Sequence, residues 1–477
     1  MSGTELDARL ATLSDTKRAL LERLMKAKGE AAGPVPIQVM PRAVRRVIEP
    51  ATAAQERVFR LCQQNWNDPV ANVSFALRLR GKLDRAAFVK SMHELVERHE
   101  VLRTVFREED GRLHQLIRSA AKSRFEVRWE DVQELPPDEQ EQCILEWAEQ
   151  EALQPFDLGA DSLFRVKVVS VDEQEHIWYL TLHHIVFDGW SIGVLLEELA
   201  QLYRAFTAGQ PSPLPPLVLQ FADYAAWQEK WRKSGHRTKV LEEWKQTFRD
   251  VPSLGQPVYG YSRSSLEIAL DSGLTERIRK YSQEQHSTIY MTLLSAYVVA
   301  LTRLTDQPEV VIGTPVAGRT HKEFERLIGM FVNIAPMRIQ AEMKVSGEML
   351  QKVRLLTAQA FARQDLPIDD LLADLADDLP SGEPPLYPYL FVLQNAPASN
   401  ESFVGLELSV VRRKNVTQVL PVQEFYSTPG AAKVNLSLVL SERASGIAGL
   451  VEYNREVLDE SAAQRFAALF EEVLRSL

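Results

Sequence analysis

The run His183-His184-Ile185-Val186-Phe187-Asp188-Gly189-Trp190-Ser191 brings two adjacent imidazoles close to a carboxylate. An imidazole titrates near neutrality and can take a proton from an attacking nucleophile, which is what acyl transfer needs. Upstream, Ile177-Trp178-Tyr179-Leu180-Thr181-Leu182 reads as a buried strand, in which successive side chains point to opposite faces. His183 and His184 are then expected to face opposite ways, so only one works on a shared substrate, and the alternation leaves open which. From Ser191 onward, Ile192, Leu195, Leu196, Leu199 and Leu202 recur at helical spacing, so Asp188 and Gly189 fall in the turn before a helix. Amide hydrogens at that helix start favour developing negative charge, and a glycine at 189 gives the turn backbone freedom.

On the residues alone, a buried hydrogen-bonded pair and a catalytic base explain the two histidines equally well. A metal site is disfavoured by the opposed side chains and by the lack of His-Glu-x-x-His or Cys-x-x-Cys spacing anywhere in the chain. There is no Gly-x-Ser-x-Gly elbow to present a serine nucleophile, and no Walker-type glycine loop to hold ATP.

The elements that must position these groups can be read around them. Ser14 caps an expected helix with Leu20, Leu21, Leu24 and Met25 as its stripe and Gly29 at its end, and Pro34, Pro36, Pro41 and Pro50 mark an extended linker. Strands then alternate with helices. Asn72 to Gly81 has strand character, Asp84 caps a helix running to Glu100, and Asp110-Gly111 suits a hairpin turn. Arg98, His99 and Glu100 read as a solvated helix terminus, whereas Arg103, set among apolar residues, needs a partner, for which Asp188 is a candidate.

The proline-rich Gln210 to Pro216 hands over to a second lobe. There Tyr224, Trp227 and Trp231 are expected in the core, and Ser287 to Leu304 is a long apolar helix. Val310 to Thr314 is a strand, followed by the glycine-containing loop Pro315 to Arg319, too weak a signal for a phosphate cradle. Strands near Tyr389 to Leu393, Leu406 to Val411, Val434 to Leu440 and Ile447 to Tyr453 precede a terminal helix capped by Asp459.

Length and composition set the outer bounds. A chain of 477 residues, 45% hydrophobic, is long enough for two lobes with cores of their own. The net charge of -10 is scattered without a basic stripe, which argues against nucleic acid as a partner. Cys62 and Cys143 are too few for a disulfide framework, and no apolar run reaches about 18 residues, so a cytoplasmic protein without a membrane segment is expected.

The run from His183 to Ser191 resembles the His-His-x-x-x-Asp-Gly motif of nonribosomal peptide synthetase condensation domains, including the trailing Trp-Ser. Other blocks follow in that family's order. Ala51 to Arg57 resembles its opening motif, Arg98 to Phe106 its second, Phe221 to Trp227 its fourth, Ile328 to Asn333 with Arg338 its fifth, and Arg363 to Pro367 its sixth. Arg363 stands where His is more usual, Asn435 where Asp is common, and the Arg-Asp-x-Ser-Arg block is not recognisable. Cyclisation domains would carry Asp at position 183, and epimerisation domains a different Ser-Trp order after Asp-Gly, so the sequence sides with condensation.

The resemblance implies an α/β fold with mixed sheets: two chloramphenicol-acetyltransferase-like lobes, 49–216 and 217–477, forming a V-shaped pseudo-dimer, with 1–48 as a possible docking segment. It implies amide formation by attack of a carrier-bound amine on a carrier-bound acyl thioester. His184 would be the base, with His183, Asp188 and Gly189 completing the catalytic motif. Asp188 would form a structural ion pair with Arg338 or Arg103, Trp190, Ser191 and Asn333 would bind substrate, and no metal is expected. No cofactor is bound directly; 4'-phosphopantetheine comes on donor and acceptor peptidyl or acyl carrier proteins. An adenylation domain is an expected neighbour, and the chain is expected to be monomeric, without nucleic acid or membrane. The alternatives are a stand-alone amide- or ester-forming acyltransferase with a soluble acceptor, and a non-catalytic recruitment domain.

Overall fold

The computed structural model describes residues 37, 48–64, 69–249, 263–340, 342–376, 387–394, 406–410, 434–443 and 446–477. The helix expected after Ser14 and most of its linker lie outside the described residues. The chain opens with strand β1 (Ile48–Pro50) and helix α1 (Ala53–Gln64), followed by β2 (Asn72–Arg80), α2 (Arg85–Arg98), β3 (Thr104–Glu109) and β4 (Arg112–Ile117). Next come β5 (Val127–Asp131), α3 (Pro137–Leu153), β6 (Phe164–Ser170), β7 (Glu175–His183) and α4 (Gly189–Thr207). Helices α5 (Phe221–Arg232) and α6 (Gly235–Phe248) lead to β8 (Arg263–Leu270), α7 (Ser272–Glu284), α8 (Ile289–Thr305), β9 (Glu309–Val316) and β10 (Asn333–Gln340). The remainder is α9 (Gly347–Ala362), α10 (Ile368–Ala376), β11 (Tyr389–Gln394), β12 (Glu407–Val410), β13 (Leu436–Arg443), β14 (Gly446–Asn454) and α11 (Glu460–Arg475).

The strands sort into two lobes. The first holds a five-stranded sheet, β12-β2-β7-β6-β5, and a three-stranded one, β1-β4-β3; the second holds a six-stranded sheet, β10-β9-β11-β13-β14-β8. Parallel pairs (β5 with β6, β11 with β9 and β13) sit among antiparallel ones, which makes the sheets mixed. Two elements cross between the lobes. Strand β12 comes late in the chain yet pairs with β2, Leu408 opposite Leu79. Helix α5 follows the proline-rich break yet packs on β1 and on the 3-10 turn Glu100–Arg103.

Local signals explain the elements nearest the His pair. Strand β7 is central in its sheet and buried from His176 to His183, with Asn72 of β2 opposite His183 on one side and Phe164 of β6 opposite Leu182 on the other. Asp84 caps α2 by accepting from the Ala87 amide at 3.0 Å, and Asp459 caps α11 through Ala462 at 2.7 Å. Asp110 and Gly111, with φ of 51° and 71°, turn the β3–β4 hairpin. Tyr224, Trp227 and Trp231 are core residues. Helix α8 is apolar all round because it is enclosed by α7, α9, α11 and the sheet, as a central helix must be. Among the described residues no single helix is long and apolar enough to cross a membrane.

The second motif departs from expectation. Helix α2 stops at Arg98, and Arg98 and His99 are not a solvated terminus: both engage the carboxylate of Glu198 on α4, at 3.0 and 2.7 Å. The close packing of α2 on α4 turns this helix end inward.

Candidate active site

Strand β7 ends at His183, a 3-10 turn carries His184 to Val186, and extended Phe187 and Asp188 lead into α4. His183 is buried, its Nδ1 accepting from the Ile185 amide at 3.2 Å. That bond leaves the ring proton on Nε2, which points at Cys62 Sγ 3.6 Å away. Burial, reinforced by His184 and Arg165, pushes the His183 pKa down to about 3, so the ring is a neutral support.

His184 is turned to other partners and keeps part of its surface exposed. Its Nδ1 lies 2.7 Å from the carbonyl oxygen of Phe187, which can only accept, so the proton is on Nδ1 and the Nε2 lone pair is left free. The ring's pKa is lowered, chiefly by burial and slightly by Arg57, against the opposing pull of hydrogen-bonded carbonyls and of Asp188. His184 is thus a neutral imidazole with its basic nitrogen unengaged.

Asp188 works as a lobe anchor. It caps α4 with Oδ1, which accepts from the Ser191 amide at 3.0 Å and from its hydroxyl at 2.7 Å. Oδ2 accepts from Arg319 Nη1 at 2.7 Å and from the Phe331 amide at 3.0 Å. The expected partners are not the ones found. Arg338, in mid-strand on β10, is held by Glu309 on neighbouring β9, and Arg103 donates to the Arg118 carbonyl and sits 3.8 Å from Glu100. Arg319, from the loop joining β9 to β10, reaches Asp188 because the second lobe lays that loop across the start of α4. Both side chains are 2% exposed or less, a charge pair enclosed and fully hydrogen-bonded at the carboxylate. Gly318 gives the loop its shape: φ is +64°, and a Cβ there would stand 2.0 Å from the Phe331 carbonyl oxygen.

The remaining motif residues are braces. Gly189 opens α4 without the backbone freedom expected of it: the described glycines with positive φ are Gly81, Gly111, Gly209, Gly318 and Gly446, and extended Asp188 makes the turn instead. Ser191 is wholly buried, and its hydroxyl also meets the Gly329 carbonyl and amide at 3.0 Å, so it clamps the lobes and does not reach a substrate. Asn333 donates to the Gln364 and Leu366 carbonyls and accepts from the Ile334 and Ile368 amides, so its amide too is engaged internally. Trp190, partly exposed, donates from its indole to the Glu325 carbonyl at 2.9 Å. With Asp188 bound to the Ser191 amide, that helix-start donor is not available to an oxyanion.

The opening motif supplies two contacts that sequence reasoning missed. Gln55 donates to the Ile185 carbonyl at 3.0 Å, holding the His184 turn, and Arg57 pairs with Asp369 of α10 at 2.6 Å across the lobes. Among the described residues no cluster of three or more His, Cys, Asp or Glu could hold a metal ion.

The family model for the condensation domain matches residues 46–477. The chain belongs to the condensation domain family. Among relatives of this condensation domain, malpinin synthetase of Mortierella alpina is 34% identical over 425 residues, 87% of this chain and 5% of that protein. Phosphinothricin tripeptide synthetase PhsC of Streptomyces viridochromogenes is 31% identical over 486 residues, 99% of this chain and 43% of that protein. The condensation domain therefore spans less than half the length of either relative.

Two solved structures share the fold. The first condensation domain of the calcium-dependent antibiotic synthetase, in complex with a substrate analogue, superposes with a TM-score of 0.71 at 21% identity, covering 90% of this chain and 97% of that one. The X-domain from teicoplanin biosynthesis gives 0.74 at 24% identity, covering 92% and 97%. The two lobes are thus those of the chloramphenicol-acetyltransferase-like architecture. The reaction class is that of condensation domains of peptide synthetases, amide-forming acyl transfer.

Proposed function

We propose that this condensation domain joins its two substrates at the junction of lobes 49–216 and 217–477, with Nε2 of His184 as the atom that orients the acceptor amine and takes its proton. The observation that carries this reading is the tautomer: Nδ1–H is tied to Phe187, and Nε2 has no partner among the described residues. As nitrogen attacks the thioester carbonyl, the C–N bond forms and the C–S bond breaks. The proton passes through Nε2 to the departing thiolate, whose conjugate thiol has a pKa of about 8.5. The acceptor must arrive as a free amine, since an α-ammonium of pKa about 8 is no nucleophile.

Both substrates would be presented on 4'-phosphopantetheine arms by donor and acceptor carrier proteins approaching from opposite faces, beside an adenylation domain, in a cytoplasmic setting and without self-association. The names of the relatives, synthetases much longer than this chain, support that context. Trp190, at the rim of the anchor, would line the path. An X-domain of this fold is described in complex with OxyB, which makes partner recruitment the second reading. The test supplies aminoacyl thioester mimics of donor and acceptor and follows product by intact mass. Amide from the wild type and at least about 10²-fold slower formation by His184→Ala support the proposal; equal rates from both would overturn it.

A further inference from the structure

Gln394 ends β11 and is 6% exposed, yet neither its Oε1 nor its Nε2 has a hydrogen-bond partner among the described residues. Enclosed amides are almost always paired, so an unpaired one calls for a partner beyond the described residues. Its placement fits. Phe391 packs on Tyr290 and Tyr297 of α8, with ring centroids 5.4 and 5.5 Å apart, and side chains alternate along a strand, so Gln394 lies on the sheet face turned away from α8. On that face it stands opposite Ser441, and two residues further along each strand Val392 faces Val439, then Leu390 faces Ser437. Ser437 in turn donates to Glu452 at 3.0 Å. Gln394, Ser441, Ser437 and Glu452 thus set polar groups among the buried apolar residues Val392 and Val439 of this face.

Strands β9 and β11 run parallel, and Thr314 donates to the Phe391 carbonyl at 3.0 Å, so their C-terminal ends lie together. From that end of β9 the loop carrying Arg319 reaches Asp188. Resting on the reading of the His184 site, we propose that Gln394 binds an amide of a thioester-bearing arm, Nε2–H donating to its carbonyl and Oε1 accepting its N–H. Pantetheine supplies such amides on both donor and acceptor arms.

The test uses Gln394→Met, equal in length without polar atoms, and Gln394→Leu should the first fold poorly. Each thioester is varied with the other saturating. The expected result is a KM for one arm raised about tenfold, equivalent to about 1.4 kcal/mol. Free pantetheine should raise the melting temperature of the wild type and not of the variant, and the ligand-free variant should melt no lower than the wild type. Unchanged KM for both arms with an undiminished pantetheine shift would overturn the proposal, as would a lower melting temperature with unchanged KM. Should the wild type form no amide, the reading of His184 falls, and the pantetheine shift still decides Gln394.

Discussion

His99 packs on helix α4 and His184 stands in the turn that leads into it, and the two rings are in opposite circumstances. His99 meets a carboxylate, Glu198, at 2.7 Å, the pairing usually sought when a general base is inferred, but the ring is 1% exposed and Glu198 is shared with Arg98. His184 meets only a backbone carbonyl, and by that choice keeps one nitrogen basic and approachable. The carboxylate nearest it in sequence, Asp188, is turned to Arg319 to hold two lobes together. On the proposed reading of the site, a free lone pair at an accessible edge marks the chemistry better than a carboxylate partner does.

The largest expected contrast is in rate. His184→Ala should slow amide formation about 10²–10⁴-fold with thermal unfolding unchanged, while His99→Ala should keep the wild-type rate per folded molecule. A fast His184 variant would erase the distinction between the two rings. Next is the anchor. Asp188→Ala leaves Arg319 buried and unpaired and should cost about 3–5 kcal/mol in denaturant unfolding, with part of that loss recovered when Arg319→Met is added. A loss in the double variant equal to the sum of the two single losses would show the pair is uncoupled. Smaller is the cost of His99→Ala, about 1–3 kcal/mol, because Arg98 still compensates Glu198.

Smallest when taken per pH unit is the effect of acidity. His183 titrates at about 3 in the folded protein against 6.5 as a free side chain, so below 6.5 the unfolded chain binds a proton that the folded one refuses. Stability should therefore fall as pH drops through this window, by at most about 1.4 kcal/mol per pH unit from this group, and His183→Gln should flatten the slope.

What the sequence revealed was local. The apolar run of β7, the leucine spacing of α4, the Asp84 and Asp459 caps and the Asp110-Gly111 turn are each fixed by residues within a few positions of one another, so their periods and types show through. The His-His-x-x-x-Asp-Gly run was visible for the same reason. What stayed hidden depends on how the lobes meet. Arg319 lies 131 positions from Asp188, in a stretch that reads only as a loop, although a glycine-arginine pair after a strand was its one local trace. Arg98 and His99 look solvated because polar residues at a helix end normally are, and only the approach of α4 turns them inward. Strand β12 joins a sheet whose other members all belong to the first half of the chain.

The most direct test is the protonation of one ring, read by ¹⁵N NMR of histidine-labelled protein with His184→Gln for assignment. At pH 7 His184 should be neutral, with hydrogen on Nδ1 and a bare Nε2. An imidazolium, or a ring protonated on Nε2, would contradict the account.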